Sequence, residues 1–127
     1  MTAIIYRMET IIYRMETIRP GRRLARAAAD VESIARRLVA ARLAAGMRPI
    51  DLAEASGVAR NTIANWETGA KRPSVDQIAF VLPILRITLD YVFFGDTGAL
   101  PWDVRGKIEN ILDNFEHPPA LRDSVNQ

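Results

Sequence analysis

The chain is predicted to be all-α, on three observations. From about residue 22 onward, apolar residues recur at spacings of three and four over successive stretches. Proline, glycine and small polar residues fall where those stretches would start and stop as helices. Outside the N-terminal repeat, no run alternates apolar and polar residues as a half-buried strand would.

The first element is that repeat: residues 4–10 and 11–17 both read IIYRMET. On a heptad, Ile4, Met8, Ile11, Met15 and Ile18 make the apolar seam of a coiled coil, but over two heptads only. The β-branched residues suit a strand equally. Met8 and Met15 could each be a translation start within a plain duplication, and this reading, with no structural job for the repeat, is favoured. Pro20-Gly21 closes an N-terminal extension, residues 1–21.

A helix is expected from Arg22 or Leu24 to Ala45, with Val31, Ile34, Leu38 and Ala41 on one face and Gly46 as its stop. Pro49 suits the first position of a second helix, and Asp51 lies near its positive dipole end. Ser56-Gly57-Val58 closes that helix in a tight turn, where Gly57 supplies left-handed backbone and, lacking a Cβ, lets the flanking helices approach. A short third helix follows from about Arg60 to Glu67. Ile63 and Trp66, three apart, face inward and turn Arg60, Asn61, Ala64 and Asn65 toward solvent.

Ser74-Val75-Asp76-Gln77 reads as a capping box for a fourth helix with Ile78, Val81, Leu82 and Leu85 on its inner face. Pro83 removes a donor there and should kink or shorten the last turn. Thr88 caps a fifth, short helix expected to bury Leu89, Val92 and Phe93, and Gly95 ends the domain, residues 22–95. In the tail, residues 96–127, Pro101 opens an amphipathic helix with Val104, Ile108, Ile111, Leu112 and Phe115 at helical spacing. His117-Pro118-Pro119 stops it, and residues 120–127 are expected to be loose.

From about Ile34 to Gly95 these residues follow the order of a known family. Arg42 stands four before Gly46, and Leu52-Ala53 precede Gly57-Val58. Ile63-Ala64-Asn65-Trp66-Glu67 leads to Gly69, Lys71, Arg72, Pro73 and Ser74, and Thr88-Leu89-Asp90-Tyr91 leads to Phe94-Gly95. The stretch resembles the lambda-repressor-like helix-turn-helix family of phage repressors, Cro proteins and their bacterial relatives. The resemblance implies a compact five-helix DNA-binding domain, here with the N-terminal extension and a C-terminal amphipathic helix. It also implies a bacterial or phage-encoded cytoplasmic protein.

It implies site residues as well. Arg60, Asn61 and Asn65 would reach base edges, since Arg bridges O6 and N7 of guanine and Asn pairs with N6 and N7 of adenine. Ala59 stands where relatives often place a Ser or Thr cap, and its methyl would pack on a thymine methyl. Arg48, Thr62, Lys71 and Arg72 would contact phosphate, Lys71 and Arg72 from the loop after the third helix. Relatives pair the positions of Arg42 and Glu67 in a partly buried salt bridge. The chain departs from the pattern at Arg48-Pro49, where the family usually has a Ser or Thr cap followed by Gln. Proline can neither hold a phosphate nor brace a recognition-helix side chain, which leaves Arg48 as a plain charge.

The charge balance is lopsided. Residues 1–48 carry ten arginines and no lysine against four acids, while residues 49–127 carry seven basic groups against eleven acids. An arginine-rich front half suits a polyanion, or is simply a solvated helix face. Arg22, Arg23 and Arg26 would make an extra basic arm. With no cysteine, a single histidine (His117) and no glycine-rich phosphate loop, catalysis, cofactors and metal sites are not expected. The longest apolar run, Ile78–Leu85, is too short to span a membrane.

Two functions remain. One is a sequence-specific DNA-binding transcriptional regulator, a repressor by preference, reading a short palindrome as a homodimer. Its tail helix would either make the dimer contact or dock on its own chain. The other is an antitoxin that binds a toxin protein and its own promoter.

Overall fold

The structure is a computed structural model and describes residues 29–118. The IIYRMET repeat, the arginines at 22, 23 and 26, and residues 120–127 lie outside the described residues. Among the described residues there is no strand. The helices are α1 (Val31–Ala44), α2 (Pro49–Ser56), α3 (Arg60–Glu67), α4 (Val75–Ile78), α5 (Leu82–Leu85), α6 (Leu89–Phe94) and α7 (Trp102–Glu116).

α1 is the centre of the fold: α3, α6 and α7 all pack against it. That explains why it buries Ala35 and Ala40 in addition to Ile34, Leu38 and Ala41. It starts at Val31, later than the expected Arg22 or Leu24, because the Asp30 carboxylate accepts the Ser33 N–H at 2.7 Å and caps it. It stops in a Schellman turn: Gly46 is left-handed, its N–H reaches the Leu43 carbonyl, and Met47 N–H reaches that of Arg42.

Pro83 acts earlier than expected. The fourth helix is not bent in its last turn but divides into α4 and α5, with Pro83 in the first turn of α5, where its missing donor costs nothing. The inner face survives the division, with Ile78, Val81 and Leu85 buried and Leu82 half-buried.

α6 is capped by Thr88, whose hydroxyl accepts the Tyr91 N–H at 3.1 Å. Its buried pair is Tyr91 and Val92; Leu89, expected inside, is exposed. Tyr91 can take the inner position because its hydroxyl donates to the Arg37 carbonyl at 2.7 Å, leaving no unpaired polar group. Arg37 in turn donates to the Val92 carbonyl at 3.0 Å. Burial pushes the Tyr91 phenol well above its ordinary value of 10.0, against a smaller pull downward from the Arg37 charge. The unfolded chain therefore ionises first as pH rises, so this stability is complete below pH 10 and is lost above it. Denaturant midpoints are expected to fall above about pH 10, and Tyr91→Phe should flatten that fall.

The tail helix docks on its own chain. Val104 and Ile108 are buried and Ile111 and Leu112 half-buried, with α7 lying against α1. Arg86 pairs with Asp103 at 2.8 Å and fastens the end of α5 to the start of α7. Of the two roles expected for this apolar face, packing within the chain is the one observed.

Candidate nucleic-acid interface

α2 and α3 form a unit around a three-residue turn. Gly57 takes φ 74°, its N–H donating to the Ala53 carbonyl at 2.9 Å. Ser56 Oγ donates to the Leu52 carbonyl and accepts from the Val58 N–H, which seats Val58 in the core. α3 then begins without a side-chain cap, because Ala59 has no oxygen to offer. Its first intrahelical bond is Ile63 N–H to the Ala59 carbonyl, so the amides of Arg60, Asn61 and Thr62 have no helical acceptor.

One face of α3 is core: Ile63 and Trp66 are buried, Trp66 at 3% exposure. The indole is thus occupied in packing and presents no surface for base stacking. On the other side Arg60, Asn61 and Ala64 are exposed and Asn65 half-exposed. Among the described residues, the side chains of Arg60, Asn61, Thr62, Asn65 and Lys71 have no hydrogen-bond or ion-pair partner. The structure therefore brings Ala59, Arg60, Asn61 and Asn65 together on one accessible surface, with half-buried Thr62 beside them.

That surface is held by Arg42 and Glu67. The Arg42 Nε donates to both carboxylate oxygens of Glu67 at 3.1 and 2.9 Å, and a terminal nitrogen donates to Oε1 at 2.9 Å. Both side chains are only 11% exposed. The remaining terminal nitrogen donates to the Met47 carbonyl at 2.8 Å. One guanidinium thus joins the end of α1, the loop before α2 and the last residue of α3.

The loop after α3 is folded back on its helix. Gly69 is left-handed at φ 77°, Lys71 N–H donates to the Asn65 carbonyl at 3.1 Å, and Pro73 is buried. Lys71 stands exposed. Arg72 is partly committed, because one of its terminal nitrogens donates to the Ala29 carbonyl.

Arg48 is not the plain charge expected. Its backbone N–H and guanidinium both donate to Asp51, the closest contacts at 2.9 Å, and this pairing draws the half-buried Asp51 carboxyl down to about 2. The sequence reading missed this partner, although Asp51 at i+3 on a helix start is a pairing signal.

Residues 38–92 match the family described as helix-turn-helix. This segment is a helix-turn-helix domain of the lambda-repressor-like, Cro-type family, a family of DNA-binding regulators. No curated protein and no solved structure matches the chain significantly. Among the described residues no helix is long and apolar enough to cross a membrane.

Proposed function

We propose that the chain is a sequence-specific transcriptional repressor that reads a short palindromic operator as a homodimer, with α3 in the major groove. The observation that carries this reading is the unpartnered surface of α3. Arg60, Asn61 and Asn65 offer the donor and acceptor geometry that base edges take, and they are bound to nothing else in the described chain. The uncapped start of α3 adds free amides that suit a phosphate oxygen. Lys71 grips the backbone with its full charge. Arg48 and Arg72 assist with guanidinium groups already engaged, one by the Asp51 carboxylate and one by the Ala29 carbonyl.

A single eight-residue helix spans only a few base pairs, and two-fold pairing sets a second copy one helical turn away. Occupancy of a promoter by such a dimer excludes polymerase, hence repression.

Asn61→Ala and Asn65→Ala are each expected to weaken binding to the selected site by about 1–3 kcal/mol and to relax the preference at one base pair. Lys71→Ala should instead weaken all sequences alike and lower the salt slope by about 1. Anisotropy titrations on selected and random duplexes separate the two kinds. Equal losses on both duplexes for the two Asn variants would remove them as base readers.

A second reading, an antitoxin, draws support from Trp102, 91% exposed at the start of α7 in a position a protein partner would cover. A small protein retained through purification of the native chain would favour it. A mass matching two copies alone would count against it.

A further inference from the structure

The Arg48–Asp51 pair stands where the start of α2 meets the end of α3. The Arg42 guanidinium donates to the Met47 carbonyl at 2.8 Å and to Glu67 Oε1 at 2.9 Å, so residue 48 lies at the Glu67 end of α3. Asn65 and Lys71 share that end, joined by the bond from the Lys71 N–H to the Asn65 carbonyl.

The pair does little for the fold. It links residues three apart at one helix start, and the Arg48 side chain is 77% exposed. Exposed pairs of this kind contribute little to stability. What the pair fixes is direction. Asp51 Oδ2 accepts from Nε at 3.0 Å and Oδ1 accepts from Nη2 at 2.9 Å, so the carboxylate occupies one edge of the planar group. A guanidinium carries five N–H donors in fixed directions. Three remain, and two of them lie side by side on the far edge, the arrangement that grips two oxygens of a phosphate. They have no acceptor among the described residues.

We infer that Asp51 is a positioning residue for DNA binding, holding Arg48 so that its far edge meets a backbone phosphate beside the end of α3. This rests on the DNA-binding reading. A carboxylate near DNA would otherwise only repel it. With the guanidinium between them, carboxylate and phosphate stand roughly one Debye length apart, about 8 Å at physiological salt, where repulsion is largely screened. Fixing a long side chain before binding removes an ordering cost from the complex. Orientation therefore outweighs repulsion.

The test compares Asp51→Asn with the wild type by anisotropy titration at physiological salt, on the selected duplex and on a random one. Asparagine keeps an oxygen for the Arg48 backbone N–H but cannot accept from the guanidinium at both of its outer atoms. Binding should weaken about three- to tenfold on both duplexes, although a negative charge has been removed, with the melting midpoint near that of the wild type. Arg48→Lys keeps the charge without the planar edge and should lose a similar factor. In an Arg48→Ala background, Asp51→Asn should no longer weaken binding. Unchanged or tighter binding by Asp51→Asn alone, or an equal loss with Arg48 absent, would overturn the positioning role while leaving α3 as the reader. A loss confined to the selected duplex would overturn the phosphate as the group held. Failure of the wild type to bind any duplex at low salt would remove both this inference and the reading beneath it.

Discussion

Glu67→Ala is expected to destabilise the domain by about 3–5 kcal/mol, and Arg42→Ala by a similar amount. Each change leaves the opposite charge nine-tenths buried against the ends of α1 and α3 with nothing to neutralise it. The Arg42 change also takes the donor from the Met47 carbonyl. The loss comes mainly from the stranded charge rather than from the bond itself. Replacing both partners together, by Arg42→Met with Glu67→Leu, should therefore cost clearly less than the two single changes summed. Urea melts of the four proteins check this, and additive losses would contradict it. Because the same guanidinium fixes α3 relative to α1 and the α2 loop, the single variants should also lose DNA binding in proportion to the unfolded fraction.

Trp66→Ala should be as severe, at about 3–5 kcal/mol, from lost apolar burial together with the cavity left behind. Trp66 is the largest buried side chain of α3, and α3 packs on both α1 and α2. Its loss loosens the one helix whose orientation the site depends on. Trp66→Phe keeps most of the apolar area and should cost less. If the indole stacked on bases instead, Trp66→Ala would weaken DNA binding with the melting midpoint unmoved, and the buried position of the ring argues against that result.

Much of this architecture could be read in the residues, and the misreadings have physical causes. The α2–α3 turn was readable because Gly57 sits between two short amphipathic patterns, where a glycine takes the left-handed backbone that ends the first helix. The caps at Ser74 and Thr88 are hydroxyls each followed by one apolar residue and an aspartate, and both accept the amide three residues on. The start of α1 was not readable from propensity. Ala-rich sequence favours helix on both sides of Asp30, and the boundary is set by one carboxylate bonding to one amide.

In α6, six residues give too short a period to choose a face. The choice fell to the Tyr91 hydroxyl, whose acceptor lies on α1, more than fifty residues away in sequence. Spacing likewise identified the apolar side of the tail helix but carried no information on what would cover it. For the site, the exposed positions of α3 follow from the inward pair Ile63 and Trp66. The engagement of Arg72 by Ala29 and of Arg48 by Asp51 required coordinates.

The proposed repressor role requires that the outward surface of α3 read bases. Selection of bound duplexes from a random pool at physiological salt tests this most directly. The expected result is enrichment of one short two-fold motif with half-sites about 10 base pairs apart, centre to centre. A folded protein that returns the starting pool without enrichment would contradict it.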